Sequence, residues 1–200
     1  MLGGSETIEL CQFTLYLLIA IQRDNRFTLE LRLKLEGRVP ASKKDLLEFL
    51  SNLGIHTNTV SHVPLFTVED GKELLGDVPG GHCKSLFLRD KKGELWLVVM
   101  LGDRRLNMSA LQKKLGSGRL SFGTPDLMRG VLGVGPGSVT PFALMNETAR
   151  DVNVILDRRM LKEELLNYHP LSNDATTTLA SKDLLKFIRA VGHEARIIDI

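Results

Sequence analysis

Disulfides, a membrane span and a large excess of one charge sign are all missing from this sequence. Its two cysteines, Cys11 and Cys83, lie far apart and make no framework of the kind that staples small secreted domains. A reducing compartment is the expectation. The one strong apolar run, residues 15–21, is much shorter than the roughly 20 residues a membrane helix needs. Glu6 and Glu9 precede it where a secretory signal would carry basic residues, and no small-residue cleavage site follows. A cytoplasmic protein is expected. The formal charge is only +2, with a pI near 8.6, which argues against wholesale coating of nucleic acid. Any RNA partner would have to meet a local patch. Arg89, Lys91, Lys92, Arg104, Arg105, Lys113, Lys114 and Arg119 gather in the middle third, where a basic patch and a solvated mixed-charge face are both open readings.

Several kinds of chemistry are missing too. Gly76 and Gly81 have the separation of a phosphate-binding loop, but His82 stands where that motif needs its lysine. There is no G-x-S-x-G nucleophile elbow. Cys83 and His82 are neighbours on an expected strand, so their side chains point to opposite faces and cannot share a proton. Cys83 is expected to be buried and inert. The five histidines, His56, His62, His82, His169 and His193, show none of the spacings of familiar metal sites. Neither a metal nor another cofactor is expected.

What is present is a body of 200 residues, 43% hydrophobic and 25% charged, enough for one full core. Leu29, Leu31, Leu33 and Leu35 alternate with charged residues, and residues 8–21 can pair with them as a hairpin. Gly37 and Pro40 break that pattern. This divides the chain into an extension, residues 1–40, and a main domain, residues 41–200. Ser42 and Asp45 start a helix that Gly54 stops. A short strand is expected over 56–62, then a helix between Thr67 and Gly76. Strands over 85–88 and 95–101 flank the turn Asp90-Lys91-Lys92-Gly93 as a hairpin, with Trp96 there for packing. Helices follow over 108–115, from Thr124-Pro125 to Gly133, and from a Ser181 cap onward. Further strands are expected over 119–122, 142–145, 152–156 and 196–200. Hairpins and helices interspersed in this way indicate an α+β fold, a mixed sheet with helices packed around it.

Three segments could carry chemistry. Lys84 sits between Gly80-Gly81 and the apolar Leu86-Phe87-Leu88, where it is either a cation placed for a phosphate or a lysine snorkelling at a strand edge. Gly135-Pro136-Gly137-Ser138-Val139-Thr140-Pro141 is either a ligand loop presenting main-chain N–H groups or a tight connection. Asn167 to Thr178 reads as one polar loop, which either lines a pocket or satisfies its own backbone.

Taken together, Pro79-Gly80-Gly81-His82-x-Lys84-x-Leu86-Phe87-Leu88, Gly137-Ser138-Val139-Thr140-Pro141 and His169-Pro170-Leu171-x-Asn173-x-Ala175-Thr176-Thr177 resemble the YbaK/prolyl-tRNA-editing family. The residues around Gly118 to Gly123 and Gly192-His193-Glu194 also look like it. The resemblance covers about residues 43–200 and leaves the extension without a counterpart, either an appendage or a start upstream of the native one. It is nearest to the freestanding proteins that deacylate alanine mischarged onto proline tRNA, since the cysteinyl-tRNA subgroup usually lacks the His169-Pro170-Leu171 segment. The resemblance implies that Lys84 engages the acceptor end of the tRNA. It makes Lys84 and Gly137 the catalytic pair, with Ser85, Ser138, Val139, Thr140, Pro141, His169 and Asn173 binding substrate. Ser85 departs from the family, many members of which carry asparagine there. The implied reaction is ester hydrolysis without a protein nucleophile, assisted by the terminal ribose hydroxyl. Mischarged tRNA(Pro) is the implied partner, alongside prolyl-tRNA synthetase or an elongation factor. The other readings kept open are a noncatalytic nucleic-acid-binding protein, an interaction module working through the extension, and a deacylase for another mischarged tRNA such as cysteinyl-tRNA(Pro).

Overall fold

Ser42 opens the first helix in a reciprocal cap. Its hydroxyl accepts from the Asp45 amide while the Asp45 carboxylate accepts from the Ser42 amide at 2.8 Å. The helix, α1 (Lys43–Asn52), buries Leu46 and Leu50, and Phe49 meets Phe187 edge-on at 6.0 Å. In the computed structural model, residues 39–65 and 78–200 are described, and Pro40–Ile200 forms one compact unit. The hairpin expected over residues 8–35 and the helix expected between Thr67 and Gly76 lie outside the described residues.

The remaining elements are β1 (Thr57–Ser61), β2 (Gly81–Arg89), β3 (Leu95–Leu101), α2 (Met108–Leu115), β4 (Ser121–Phe122), α3 (Pro125–Leu127), β5 (Val152–Asp157), β6 (Leu165–Tyr168), β7 (Ala175–Ala180), α4 (Ser181–Ala190) and β8 (Ala195–Ile198). They build one mixed sheet in the order β1-β7-β6-β2-β3-β5-β8, with β4 pairing on β2. The β2–β3 hairpin is antiparallel, with Lys84 opposite Met100 and Leu88 opposite Trp96. The β2–β6, β3–β5 and β5–β8 pairs are parallel. The fold is α+β, as the sequence pattern indicates.

Alternation along β2 and β3 gives the sheet two apolar faces. One carries Cys83, Phe87, Leu97 and Val99 into the main core with α1 and α4; the other carries Leu86, Leu88, Trp96 and Val98 into a smaller cluster under α2.

Three expectations need correction. Residues 142–145 are not a strand: Pro141–Met145 is a 3-10 helix, started by the Thr140 hydroxyl accepting from the Phe142 amide and by Pro141 at its first position. All of Phe142, Ala143 and Leu144 are buried, so apolar content alone does not distinguish the two forms. Ser181 does not cap α4; that place falls to Ala180, which has no side-chain cap, and the Ser181 amide donates to Glu164 O. Finally, the polar stretch at 167–178 is not a continuous loop but the β6–β7 hairpin, with Asn167 opposite Thr178.

Candidate functional site

The three candidate segments are anchored on one buried cluster. Cys83, next to Lys84, follows the His82–Asn167 pairing of β2 with β6, which sets it beside Tyr168. Tyr168, next to His169, meets Phe142 edge-on at 5.8 Å, and Phe142 meets Phe187 in the same way at 5.3 Å. Phe142 in turn follows Pro141. Burying an aromatic of this size contributes roughly 1.5–3 kcal/mol, so the main chain at 84, 141 and 169 is held over a common floor.

Gly80 and Gly81 have a packing role at the head of β2. Gly80 has φ +102, and a Cβ there would stand 2.7 Å from Leu165 O, while one on Gly81 would stand 2.8 Å from Glu163 Cγ. The pair is a point of close backbone approach to β6 rather than a flexible hinge. Asn167 reinforces it, donating to Pro79 O at 3.1 Å and accepting from the Thr178 hydroxyl at 2.6 Å.

Lys84 is half-buried, with an ammonium that donates to Gly102 O at 3.0 Å and also to Arg104 O. By strand alternation it lies on the face of Leu86 and Leu88, opposite Cys83 and Ser85. The lysine is placed, and what places it is the loop after β3. Arg104 is fixed in its turn: its guanidinium donates to Ile200 O at 2.7 Å and stands 3.5 Å from the fully buried Asp157 carboxylate. Ser85 shares the Cys83 face, and its Oγ is buried with no hydrogen-bond partner.

The 135–141 loop exposes Pro136 and Gly137 and turns its far end inward, with Val139 against the core and Thr140 and Pro141 buried. Gly137 has φ +83, and the Ser138 amide closes the turn on Gly135 O at 3.1 Å. Asn146 brackets this loop. Its amide donates to Leu132 O at 2.8 Å before the loop and to Ala143 O at 3.3 Å after it, while its carbonyl accepts from the Ala41 amide at 2.7 Å.

His169 is half-buried, with Nδ1 3.0 Å from Ala175 O and its ring 6.2 Å from that of His62. Bonding to a carbonyl makes Nδ1 the protonated nitrogen and Nε2 the acceptor. Burial lowers its pKa below the ordinary 6.5, against the pull of the Ala175 carbonyl, so the ring is neutral at physiological pH. Asn173 is engaged with Leu65: its side-chain amide donates to Leu65 O and its own carbonyl accepts from the Leu65 amide, both at 3.0 Å. Cys83 is half-buried against the main core, less enclosed than expected. Burial pushes its thiol up to about 12, so no thiolate is available as a nucleophile near neutrality.

The residues that sequence reasoning did not single out are Asn146 and Asp157. Each is a buried polar residue that ties together segments distant in sequence, Asn146 reaching Ala41 and Asp157 reaching Arg104 and Ile200, and no local spacing announces it. Among the basic residues, Arg104 is part of the interior network rather than of a solvated patch.

The family model for the aminoacyl-tRNA editing domain matches residues 62–187, and the chain is a member of that family. It is 38% identical over 175 residues to the mouse prolyl-tRNA synthetase associated domain-containing protein 1, covering 85% of this chain and 96% of that one. It is 31% identical over 160 residues to the prolyl-tRNA editing protein ProX of Acetoanaerobium sticklandii, covering 80% and 98%. A solved structure of a suggested trans-editing enzyme for prolyl-tRNA synthetase superposes with a TM-score of 0.62 at 21% identity, over 80% of this chain and 98% of that one. That likeness concerns the fold. Among the described residues, no helix is long and apolar enough to cross a membrane.

Proposed function

We propose that the protein is a trans-editing hydrolase that removes alanine from mischarged tRNA(Pro). The observation that carries this reading is that Cys83, Tyr168 and Phe142, each within or next to one of the three family segments, are brought together by the β2–β6 pairing and the Phe142–Tyr168 ring contact. The name of the Acetoanaerobium relative supports the editing role.

In the proposed reaction a water oxygen attacks the ester carbonyl carbon, the bond to the terminal ribose oxygen breaks, and that oxygen departs with a proton. The products are alanine and free tRNA. With the Cys83 thiol protonated, catalysis rests on positioning and on donors aimed at the developing oxyanion. Gly137 supplies a main-chain amide at the exposed turn, and Ser138, Val139, Thr140 and Pro141 shape the wall beneath it. Lys84 engages the acceptor end of the RNA with the carbonyls of Gly102 and Arg104 holding its ammonium in place. Ser85 faces the main core on the other side of β2 from Lys84, so its buried hydroxyl is assigned no contact with the substrate. His169 offers a neutral ring as a wall and an acceptor, and Asn173 secures the segment that carries it.

A second sieve of this kind has an energetic reason. Each methylene is worth only roughly 1–3 kcal/mol in an apolar pocket, so a synthetase built for proline admits alanine, and the error must be removed afterwards. The test is release of labelled alanine from alanyl-tRNA(Pro) by the purified protein. Turnover well above spontaneous hydrolysis supports the proposal, and release at the spontaneous rate refutes it.

A further inference from the structure

The end of β2 remote from Lys84 carries a surface that the ester site does not use. Asp90, at the end of that strand, accepts from the amides of Lys92 at 2.7 Å, Glu94 at 3.0 Å and Gly118 at 2.9 Å. One carboxylate thus ties the β2–β3 turn to the loop before β4. The contact is close: a Cβ on Gly118 would stand 3.3 Å from the Lys91 amide nitrogen. The consequence is a stiff corner where Arg89, Lys91, Lys92 and Arg119 are all exposed.

Beside them, the short strand β4 pairs on β2 with Phe122 opposite Leu88 and Ser121 opposite Arg89. Phe122 is left 62% exposed, the one aromatic among the exposed large apolar side chains of the described residues. An open depression of about 470 Å³ runs between Arg89, Ser121, Phe122, Thr124 and Leu127. Asp126, also on its rim, is paired with Arg129 at 2.8 Å, and Glu94 is the other exposed acid at this corner.

An exposed ring flanked by cations matches the way proteins hold unpaired nucleic acid, with bases stacked on aromatics and phosphates on lysine and arginine. A protein partner would call for a wider apolar patch than a single phenylalanine. Distance along the strand is also suitable. Arg89 lies five residues beyond Lys84, roughly 17 Å at the rise of a β-strand, further than one nucleotide reaches and within the span of an unpaired tRNA end.

We propose that this corner binds the unpaired 3′ strand of tRNA upstream of the reacting nucleotide, with a base on Phe122 and phosphates on Arg89, Lys91, Lys92 and Arg119. Only the identity of the RNA rests on the functional reading above.

The experiment uses the full chain and two uncharged RNA hairpins, one with a short unpaired 3′ tail and one blunt. Wild type should prefer the tailed hairpin, and Phe122→Ala should weaken its binding at least about fivefold while leaving the blunt hairpin nearly unaffected. Lys91→Ser with Lys92→Ser should reduce the slope of log affinity against log salt by about 1.4, at roughly 0.7 per phosphate contact on a single strand. Unchanged affinity and slope, or equal weakening for both hairpins, overturn the proposal. Turnover of alanyl-tRNA is measured in parallel. If wild type binds the tail through Phe122 but hydrolyses nothing, the corner stands and the editing reading fails. If wild type hydrolyses the ester and Phe122→Ala leaves KM unaltered, the editing reading stands and the corner fails.

Discussion

Arg104 links two residues that act at different depths: its main-chain oxygen receives the Lys84 ammonium while its guanidinium stands 3.5 Å from the buried carboxylate of Asp157. The same carboxylate accepts from the amides of Arg159 and Ile200, each at 3.3 Å. The last strand, the loop after β3 and the lysine therefore share one support. Removing one partner of a buried pair costs about 3–5 kcal/mol, because the other charge is left uncompensated. Asp157→Ala should lose stability on that order in urea unfolding. A loss below about 1 kcal/mol would mean that solvent already screens the pair.

Lys84→Ala removes a charge-assisted hydrogen bond worth about 1.5–3 kcal/mol, and the expected fall in deacylation is roughly 10- to 100-fold. The variant also leaves Gly102 O and Arg104 O without that donor, so its melting temperature is measured beside its rate. Wild-type turnover by a folded variant would remove Lys84 from the reaction.

Much of the frame was legible in the sequence. The Ser42–Asp45 pair marks the start of α1, and the turn at Asp90 to Gly93 marks the β2–β3 hairpin, because caps and tight turns have local chemistry. The failures were places where local chemistry gave two answers. Phe142 to Met145 is fully apolar, and only the Thr140-Pro141 start told in favour of a helix. Thr176, Thr177 and Thr178 have the β-branched character of a strand but read as polar loop. The candidate segments were legible as motifs. Their meeting at Cys83, Tyr168 and Phe142 was not, since it depends on the parallel pairing of β2 with β6. Nor was the support of Lys84 by Arg104 and Asp157.

Acid should destabilise the protein through its histidines. Burial lowers the pKa of His169, against the Ala175 carbonyl, and that of His193, against main-chain bonds to Val152 and Leu144, both below the ordinary 6.5. The unfolded chain then binds protons more readily than the folded one. Their contribution is full above pH 6.5 and is lost as pH falls through the lowered values. Melting temperature measured from about pH 8 to about pH 5 should decline on the acid side, less steeply in His193→Gln. An equal decline in that variant would exclude His193 as a source.

We propose that residues 1–40 are dispensable, on the ground that Pro40–Ile200 is compact by itself. A chain beginning at Ala41 should remain soluble and active, with a modest change in stability. Aggregation under matched conditions would show that the extension completes the core.

The most direct measurement is the pair of initial rates on alanyl-tRNA(Pro) and prolyl-tRNA(Pro), taken with wild type and with His169→Ala. Overpacking a fixed site costs about 1–3 kcal/mol, so wild type should cleave the alanyl ester at least roughly tenfold faster. His169→Ala should lower the alanyl rate and narrow that ratio, because it removes both bulk and an acceptor. Equal wild-type rates on the two esters, or release of neither, would contradict a sieve for the smaller side chain.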